Sequence, residues 1–248
     1  MEWQTSLFDP HPVRPMNVLV ACEESQAVCI EFRKNGHRAF SADLQDCSGG
    51  HPEWHIKGDV LPIINGNCTF QTMDTHTHTQ VGAWDVLIAH PPCTFLTVTG
   101  NSWFNVEKYG DRARKRIKDR ADAFQFFMRF IRAECDKIAV ENPIGFASSY
   151  YVKPSQIIQP YQFGDDARKS TCLWLKNLPK LRPTKVIPYT VIKTGHGTDS
   201  PWHVYTWNLP PAERAKARSK TFPGIAKAMA DQWGGIVNDQ RRQDQTDV

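Results

Sequence analysis

The chain has no apolar run near the roughly 18 residues of a membrane-spanning helix, which argues against a membrane span. Its first residues carry no signal-peptide pattern, so a cytoplasmic location is expected. Paired Cys-x-x-Cys spacings are also missing. Seven cysteines without that spacing argue against a disulfide framework or a structural zinc site, and for reduced thiols. His51, His55, His76 and His78 make no ligand set at fixed spacing, so no metal is expected. Strong charge of one sign is lacking as well, the net value being +4, which admits a nucleic-acid partner without demanding one. No internal repeat is evident. What remains is 248 residues of ordinary globular composition, enough for one substantial core and at most a small appendage.

Two short strings stand out, Pro91-Pro92-Cys93-Thr94 and Glu141-Asn142-Pro143. Each directly follows an apolar run, residues 84–89 and 137–140, that is short, rich in β-branched residues and stopped by proline. Both runs read as buried strands. Between them, residues 112–134 carry Ile117, Ala121, Phe124, Met128 and Ile131 at helical spacing, with basic residues filling the other positions of the first half. Strand, helix and strand predict a right-handed parallel crossover. Ligands gather at the carboxyl ends of such strands, where both strings fall.

Along the rest of the chain, residues 16–21 read as the first strand. A helix should follow from Ser25, as N-cap, to Gly36 as its stop. Residues 38–42 predict a second strand ending at Asp43, and a third short element ends at Gly58-Asp59-Val60. Residues 65–82 are polar and threonine-rich, which predicts an inserted surface loop. After Pro143 an irregular stretch is expected, then a strand over 171–175, a proline-studded segment over 178–211 and a helix over 222–233 bearing Ile225, Ala226, Met229 and Trp233. Trp202, His203, Tyr205 and Trp207 read as the small core of an appendage in preference to a base-stacking surface. The expected organisation is a flexible tail (1–15), a catalytic core (16–176), a small recognition segment (177–210), a returning C-terminal helix (211–236) and a disordered tail (237–248).

A cysteine after a strand is ordinarily a small buried hydrophobe. Here two prolines stiffen the backbone ahead of Cys93, while Thr97, Gly100 and Asn101 lie in a polar loop suited to closing over a substrate. Glu141, at the end of a buried strand, must be partnered or protonated, and burial is expected to raise its pKa into the range of a proton donor. A thiolate adding to C6 of a pyrimidine while Glu141 holds the ring nitrogen would make C5 nucleophilic toward a one-carbon electrophile.

With these motifs the chain resembles the DNA cytosine-5 methyltransferases, and within them a compact, phage- or prophage-like member. Their Pro-Cys and Glu-Asn motifs follow the fourth and fifth strands with a helix between, as Pro92-Cys93 and Glu141-Asn142 do here. The resemblance implies an α/β fold, a Rossmann-like S-adenosylmethionine-dependent methyltransferase sheet with a small C-terminal recognition appendage. It implies Cys93 as nucleophile, Glu141 as its partner at the base and Asn142 mainly as a brace for the loop. Cofactor contacts are implied at Cys22, Glu23, Ser25, Asp43 (near the ribose), Asp59 (at the adenine) and Pro91. Substrate contacts are implied at Thr94, Asn142, Arg168, Lys169 and Thr171. Phe222-Pro223-Gly224 with residues 226–230 is similar to the family's closing motif, which returns to the cofactor pocket.

Three segments depart from the family. The first loop, Ala21-Cys22-Glu23-Glu24-Ser25-Gln26, has Glu23 and Ser25 where small glycines would let backbone approach the cofactor. Lys169-Ser170-Thr171, preceded by Arg168, stands in place of an Arg-x-Arg. The segment from Asn177 to about Pro210 is small for reading several base pairs.

A duplex base must be flipped out to reach a buried Cys and Glu. Arg112, Arg114, Lys115, Arg116, Lys118 and Arg120 could bind the phosphates of DNA, or could form a solvated helix face with Asp111, Asp119 and Asp122. Near the N-terminus, Gln4-Thr5-Ser6-Leu7-Phe8 resembles the peptide by which bacterial replication proteins dock on the sliding clamp, with Gln4, Leu7 and Phe8 as contacts. Other readings stay open. An exocyclic amino (N4/N6) DNA methyltransferase half matches His90-Pro91-Pro92-Cys93 but leaves Glu141-Asn142-Pro143 unexplained. Carbon-5 chemistry on RNA or a free nucleotide, and a noncatalytic DNA- or clamp-binding relative, are the others.

Overall fold

A computed structural model describes residues 14–75, 77–79, 82–195 and 197–237. The expectations for Gln4, Leu7 and Phe8, for His76, and for the tail beyond residue 237 lie outside the described residues.

In chain order the first elements are β1 (Asn17–Ala21), α1 (Ala27–Lys34), β2 (Arg38–Asp43), β3 (His55–Lys57), β4 (Thr69–Gln71), β5 (Thr77–Thr79) and β6 (Val86–Ala89). There follow α2 (Val106–Tyr109), α3 (Asp111–Ile131), β7 (Lys137–Pro143), α4 (Phe146–Tyr150), β8 (Gln156–Ile158) and β9 (Thr171–Lys176). The chain continues through β10 (Ile192–Thr194), β11 (Gly197–Asp199), α5 (Pro201–Trp207), α6 (Pro211–Ser219) and α7 (Pro223–Met229), which runs on into a π-helical turn over Ala230–Gly234. Seven strands form one mixed, mostly parallel sheet in the order β3-β2-β1-β6-β7-β9-β8, in which β9 runs antiparallel to both its neighbours. The parallel part repeats the 3-2-1-4-5 order of doubly wound folds. This is a Rossmann-like α/β sheet.

Alternation along the central strands feeds two cores. Leu19, Ala21, Leu87, Ile138, Val140 and Trp174 pack with Phe127, Met128 and Phe130 of α3. Val18, Val20, Val86, Ile88, Ala139 and Leu173 pack with Val28 and Phe32 of α1 and with Ile225, Met229 and Trp233 on the other side. Both faces are buried, which is why these strands read as continuous apolar runs and not as polar–apolar alternation.

Several expectations change in the structure. Ser25 does not cap α1: Gln26 occupies the cap position in a left-handed conformation, and the side chain of Glu23 reaches the first turn instead. Ile117 is exposed, although Ala113 one turn earlier is buried. The expected loop over 65–82 contains the antiparallel pair β4–β5, whose Phe70 is buried against Phe40 and Trp84. The irregular stretch after Pro143 holds α4 and β8, too short to show any periodicity. In the appendage Tyr205 and Trp207 are exposed, and only Trp202 packs inward, against Phe222 at 5.0 Å, so these aromatics do not form a core. No helix among the described residues is long and apolar enough to cross a membrane.

Candidate active site

The strand order reverses between β1 and β6, and the crevice outside their carboxyl ends is the expected ligand site of such a sheet. Onto this rim β1 delivers Cys22 and Glu23, β2 delivers Asp43, β3 leads to Asp59, and β6 leads to His90 through Cys93. Glu141 and Asn142 lie near the carboxyl end of β7.

The register of β6 against β7 decides the central contact. Ala89 lies opposite Val140, so the next step of the parallel ladder sets His90 beside Glu141. Their side chains meet at 2.9 Å, His90 Nδ1 to Glu141 Oε2, with only 7% and 12% of each accessible. Burial opposes charge on both groups. On Glu141 it is outweighed by the charge of Lys169 together with the hydrogen bond and charge of His90, so the carboxyl lies below its usual range. On His90 it is outweighed by the hydrogen bond and charge of Glu141, aided by Glu23, so the imidazole lies above its usual range. Both shifts favour the charged forms, imidazolium on His90 and carboxylate on Glu141. The expectation that burial alone would raise Glu141 is therefore corrected, since isolated burial is not what Glu141 experiences.

Cys93 is exposed as a residue. Protein packed around its sulfur nevertheless pushes the thiol up, Glu141 pushes it further, and Lys169 acts in the opposite sense. Lys169 donates from Nζ to the carbonyl of Arg218 at 2.9 Å, tying this centre to the end of α6. Buried Asn142 donates from Nδ2 to the carbonyl of Pro91 at 2.9 Å, which ties the start of the loop carrying Cys93 to β7. Pro91 is itself buried, whereas Thr94 is exposed beside Cys93.

The loop after Cys93 is held from two sides. Its amides at Leu96 and Thr97 turn back onto the Cys93 carbonyl, and Phe146 N donates to the Leu96 carbonyl at 2.6 Å. This crossing needs Gly145, where an added Cβ would sit 1.9 Å from the Leu96 oxygen. From α3, Arg120 donates to the Phe95 carbonyl at 2.9 Å and to Asn101 Oδ1 at 2.7 Å, and its guanidinium lies 3.3 Å from the Phe104 ring centroid. Arg116 donates to the Thr94 carbonyl at 3.3 Å. Arg114 and Lys115 pair with Asp111 and Asp119 at 2.8 Å. The basic first half of α3 thus divides into loop braces, paired surface charges and the exposed Arg112 and Lys118. Sequence periodicity did not distinguish them.

On the cofactor side, Glu23 turns inward, accepting from the amides of Val28 at 2.7 Å and Cys29 at 3.2 Å, and burial raises its pKa to about 7. Two residues of this glycine-free loop, Cys22 and Gln26, take the left-handed conformation themselves, each at φ 59°. Burial, with the charges of Asp43 and Asp59, pushes the Cys22 thiol well up. Asp43 and Asp59 each accept one backbone amide through Oδ1, from Gln45 at 2.9 Å and Leu61 at 3.0 Å. Ser25 stays half-buried on the loop. Of the remaining candidates, Arg168 is exposed and lies over the ring of Tyr189 at 5.1 Å. Thr171 is buried at the start of β9 and donates to the Lys169 carbonyl at 3.2 Å, shaping the turn that presents Lys169. At the closing motif, Gly224 donates to Asp165 at 3.0 Å and lies so near the Phe163 carbonyl that a Cβ would sit 2.0 Å from it.

No family model matches the chain, and no curated protein matches it. Among solved structures it is similar to the crystal structure of S. pombe Dnmt2 methyltransferase, at 13% identity over 67% of this chain and 51% of that chain, with a TM-score of 0.40. The chain spans about half the length of that structure.

The donor set at the β1–β3 end suits a cofactor with a ribose diol and a cationic amino-acid end. Buried Glu24 has both carboxylate oxygens without a hydrogen-bond partner, the nearest cation being Lys216 at 3.9 Å. Asp43 and Asp59 each keep a second oxygen without a protein partner among the described residues. S-adenosylmethionine fits such groups, with Asp43 able to take ribose hydroxyls and Glu24 an ammonium. A separate cavity of about 530 Å³, lined by Arg33, Lys34, His37, Arg38, His51 and Trp54, lies beside α1. Four of its basic groups are already engaged, Arg33 by the Ala39 carbonyl, Lys34 by Glu31, His37 by the Gly235 carbonyl and His51 by Glu53, and Arg38 lies over the Phe40 ring at 5.6 Å. It holds none of the chemistry gathered around Cys93. Among the described residues no three metal-ligating side chains converge.

Proposed function

We propose that the chain transfers a methyl group from S-adenosylmethionine to C5 of cytosine in DNA. The observation carrying this reading is one thiol, Cys93, beside a buried carboxylate whose charge and position are set by His90 and Lys169. When bound, the cofactor supplies an electrophilic methyl group. Cys93 gives up its thiol proton to solvent and its sulfur adds to C6 while the Glu141 side of the site protonates N3, and the C5=C6 electron pair becomes available at C5. After methyl transfer, loss of the C5 proton to solvent and departure of the Cys93 sulfur restore the ring. Asn142, Arg116 and Arg120 hold the loop that carries the nucleophile. A duplex substrate must present the base flipped out. Exposed Arg112 and Lys118, with Trp207 and Tyr205 of the appendage, are the groups we assign to the nucleic acid.

DNA containing 5-fluorocytosine provides the test, because fluorine at C5 cannot leave as a proton and the adduct persists. The wild-type protein should form a cofactor-dependent covalent adduct and Cys93→Ala should form none. An adduct that survives this substitution, or a methyl group found on N4 of cytosine or N6 of adenine by mass spectrometry, overturns the reading. RNA and free deoxycytidine nucleotides, tried in parallel with labelled S-adenosylmethionine, decide the substrate class.

A further inference from the structure

We propose that His90 is a positioning residue that stores the proton which cytosine N3 receives, through Glu141, as Cys93 adds to C6. This rests on the carbon-5 reading above and adds a residue that neither motif contains.

Four observations carry it. The parallel ladder places His90 and Glu141 side by side, so their 2.9 Å contact is a product of the sheet and not of a mobile loop. The backbone on both sides is pinned: His90 N donates to the Ala21 carbonyl at 2.9 Å, and Asn142 holds the Pro91 carbonyl. His90 Nε2 is buried without a partner, so within the protein the imidazole proton at Nδ1 has a single acceptor, Glu141. The charged groups facing the imidazole are Glu141 from β7, Glu23 from the end of β1 and Lys169 from the approach to β9. The two carboxyls favour the imidazolium and the lysine opposes it. A carboxylate alone accepts hydrogen bonds from cytosine but has no proton to give. The pair together holds one.

The step balances. The N–H bond at His90 Nδ1 breaks and an O–H bond forms on Glu141. That proton moves to N3 while the Cys93 thiolate makes the S–C6 bond and the C5=C6 pair shifts into the ring. His90 is left neutral, Glu141 ionised and the ring adduct neutral, so the net charge of the site does not change. When the sulfur leaves, the N3 proton returns by the same route.

His90→Asn keeps an N–H donor toward Glu141 but cannot store a proton. The experiment compares the pH profile of adduct formation on 5-fluorocytosine DNA for wild type and this variant, with thermal melting and S-adenosylmethionine binding by calorimetry to establish that the variant is folded and loaded. Wild type should lose rate on the alkaline side as the pair gives up its proton. His90→Asn should be slower by on the order of 10²-fold near pH 7.5, with its optimum moved to lower pH because Glu141 must then take its proton from solvent. A variant with wild-type rate and profile overturns the proposal. Absence of any adduct with wild-type protein instead removes the carbon-5 reading, and this inference with it, and needs no variant to recognise. Titration of the His90 imidazole by nitrogen NMR decides the matter if the variant does not fold. We expect a cationic ring that titrates above an ordinary histidine and moves down in Glu141→Gln; a ring already neutral at pH 6 overturns the proposal.

Discussion

A glutamate in this chain has the character its neighbours confer. Glu141 and Glu23 are both buried carboxyls near the same crevice, yet Lys169 and His90 bring Glu141 below its usual range while burial pushes Glu23 up to about 7. The two backbone amides that Glu23 accepts favour its charge, but they do not offset its full removal from water. A measurable consequence follows for stability. Because folded Glu23 binds its proton more tightly than the ordinary value of 4.5, its favourable contribution is complete below about pH 4.5 and is lost as pH rises through about 7. Glu23→Gln should therefore gain stability relative to wild type between pH 4.5 and pH 8, by on the order of 3 kcal/mol. Thermal melts at several pH values check this, and a constant difference between the two proteins across that range would contradict it. The His90–Glu141 pair behaves oppositely at its acid end. Depressed Glu141 contributes above about pH 4.5 and fails as pH falls through its folded value, whereas raised His90 contributes below about 6.5 and fails as pH rises through its folded value.

Among the elements, the long helix and the central strands were legible in the sequence, and the short pieces were not. α3 and β1, β2, β6, β7 and β9 each carry enough buried residues to set a period or a continuous run. Helix α4, with five residues, and strands β4 and β8, with three each, carry no period, so only their partners define them, whereas the equally short β3 lies where an element ending at Gly58-Asp59-Val60 was expected. The cap of α1 was misread for a related reason. Ser25 has the right chemistry at the right position, but the left-handed Gln26 re-aims the turn and lets Glu23 reach the helix from further back. Gly145 shows how closely two elements can depend on one atom. Its φ of 174° is extended backbone open to any residue, so the requirement is space alone. Gly145→Ala should push Leu96 away, break the Phe146 to Leu96 hydrogen bond and destabilise the fold by about 2–3 kcal/mol. It should also raise amide hydrogen exchange across residues 95–104, and a variant with unchanged stability and exchange would show that the crossing does not hold the loop.

For the whole molecule, the sheet order brings two thiols, Cys22 and Cys93, one ion pair and the carboxyl groups of Glu23, Asp43 and Asp59 to a single rim, to which the end of α6 is tied by the hydrogen bond from Lys169 to the Arg218 carbonyl. The peptide Gln4 to Phe8 lies apart from this machinery in the sequence. If it docks on a sliding clamp, deleting residues 1–9 should abolish clamp pull-down while leaving adduct formation on short oligonucleotides unchanged; pull-down that persists, or activity lost with the tail, would contradict that assignment. The sequence by itself determined the α/β class, the strands at the two motifs, and that Cys93 and Glu141 emerge at carboxyl ends of neighbouring strands, because burial on both sheet faces writes itself into local composition. Only the tertiary structure decided who pairs with whom. His90 and Glu141 are 51 residues apart, Lys169 acts on both from the segment leading into β9, and Arg116 and Arg120 separate from their basic neighbours by facing the loop after Cys93. Such choices follow from strand register and from charge acting through space, and neither leaves a period in the chain.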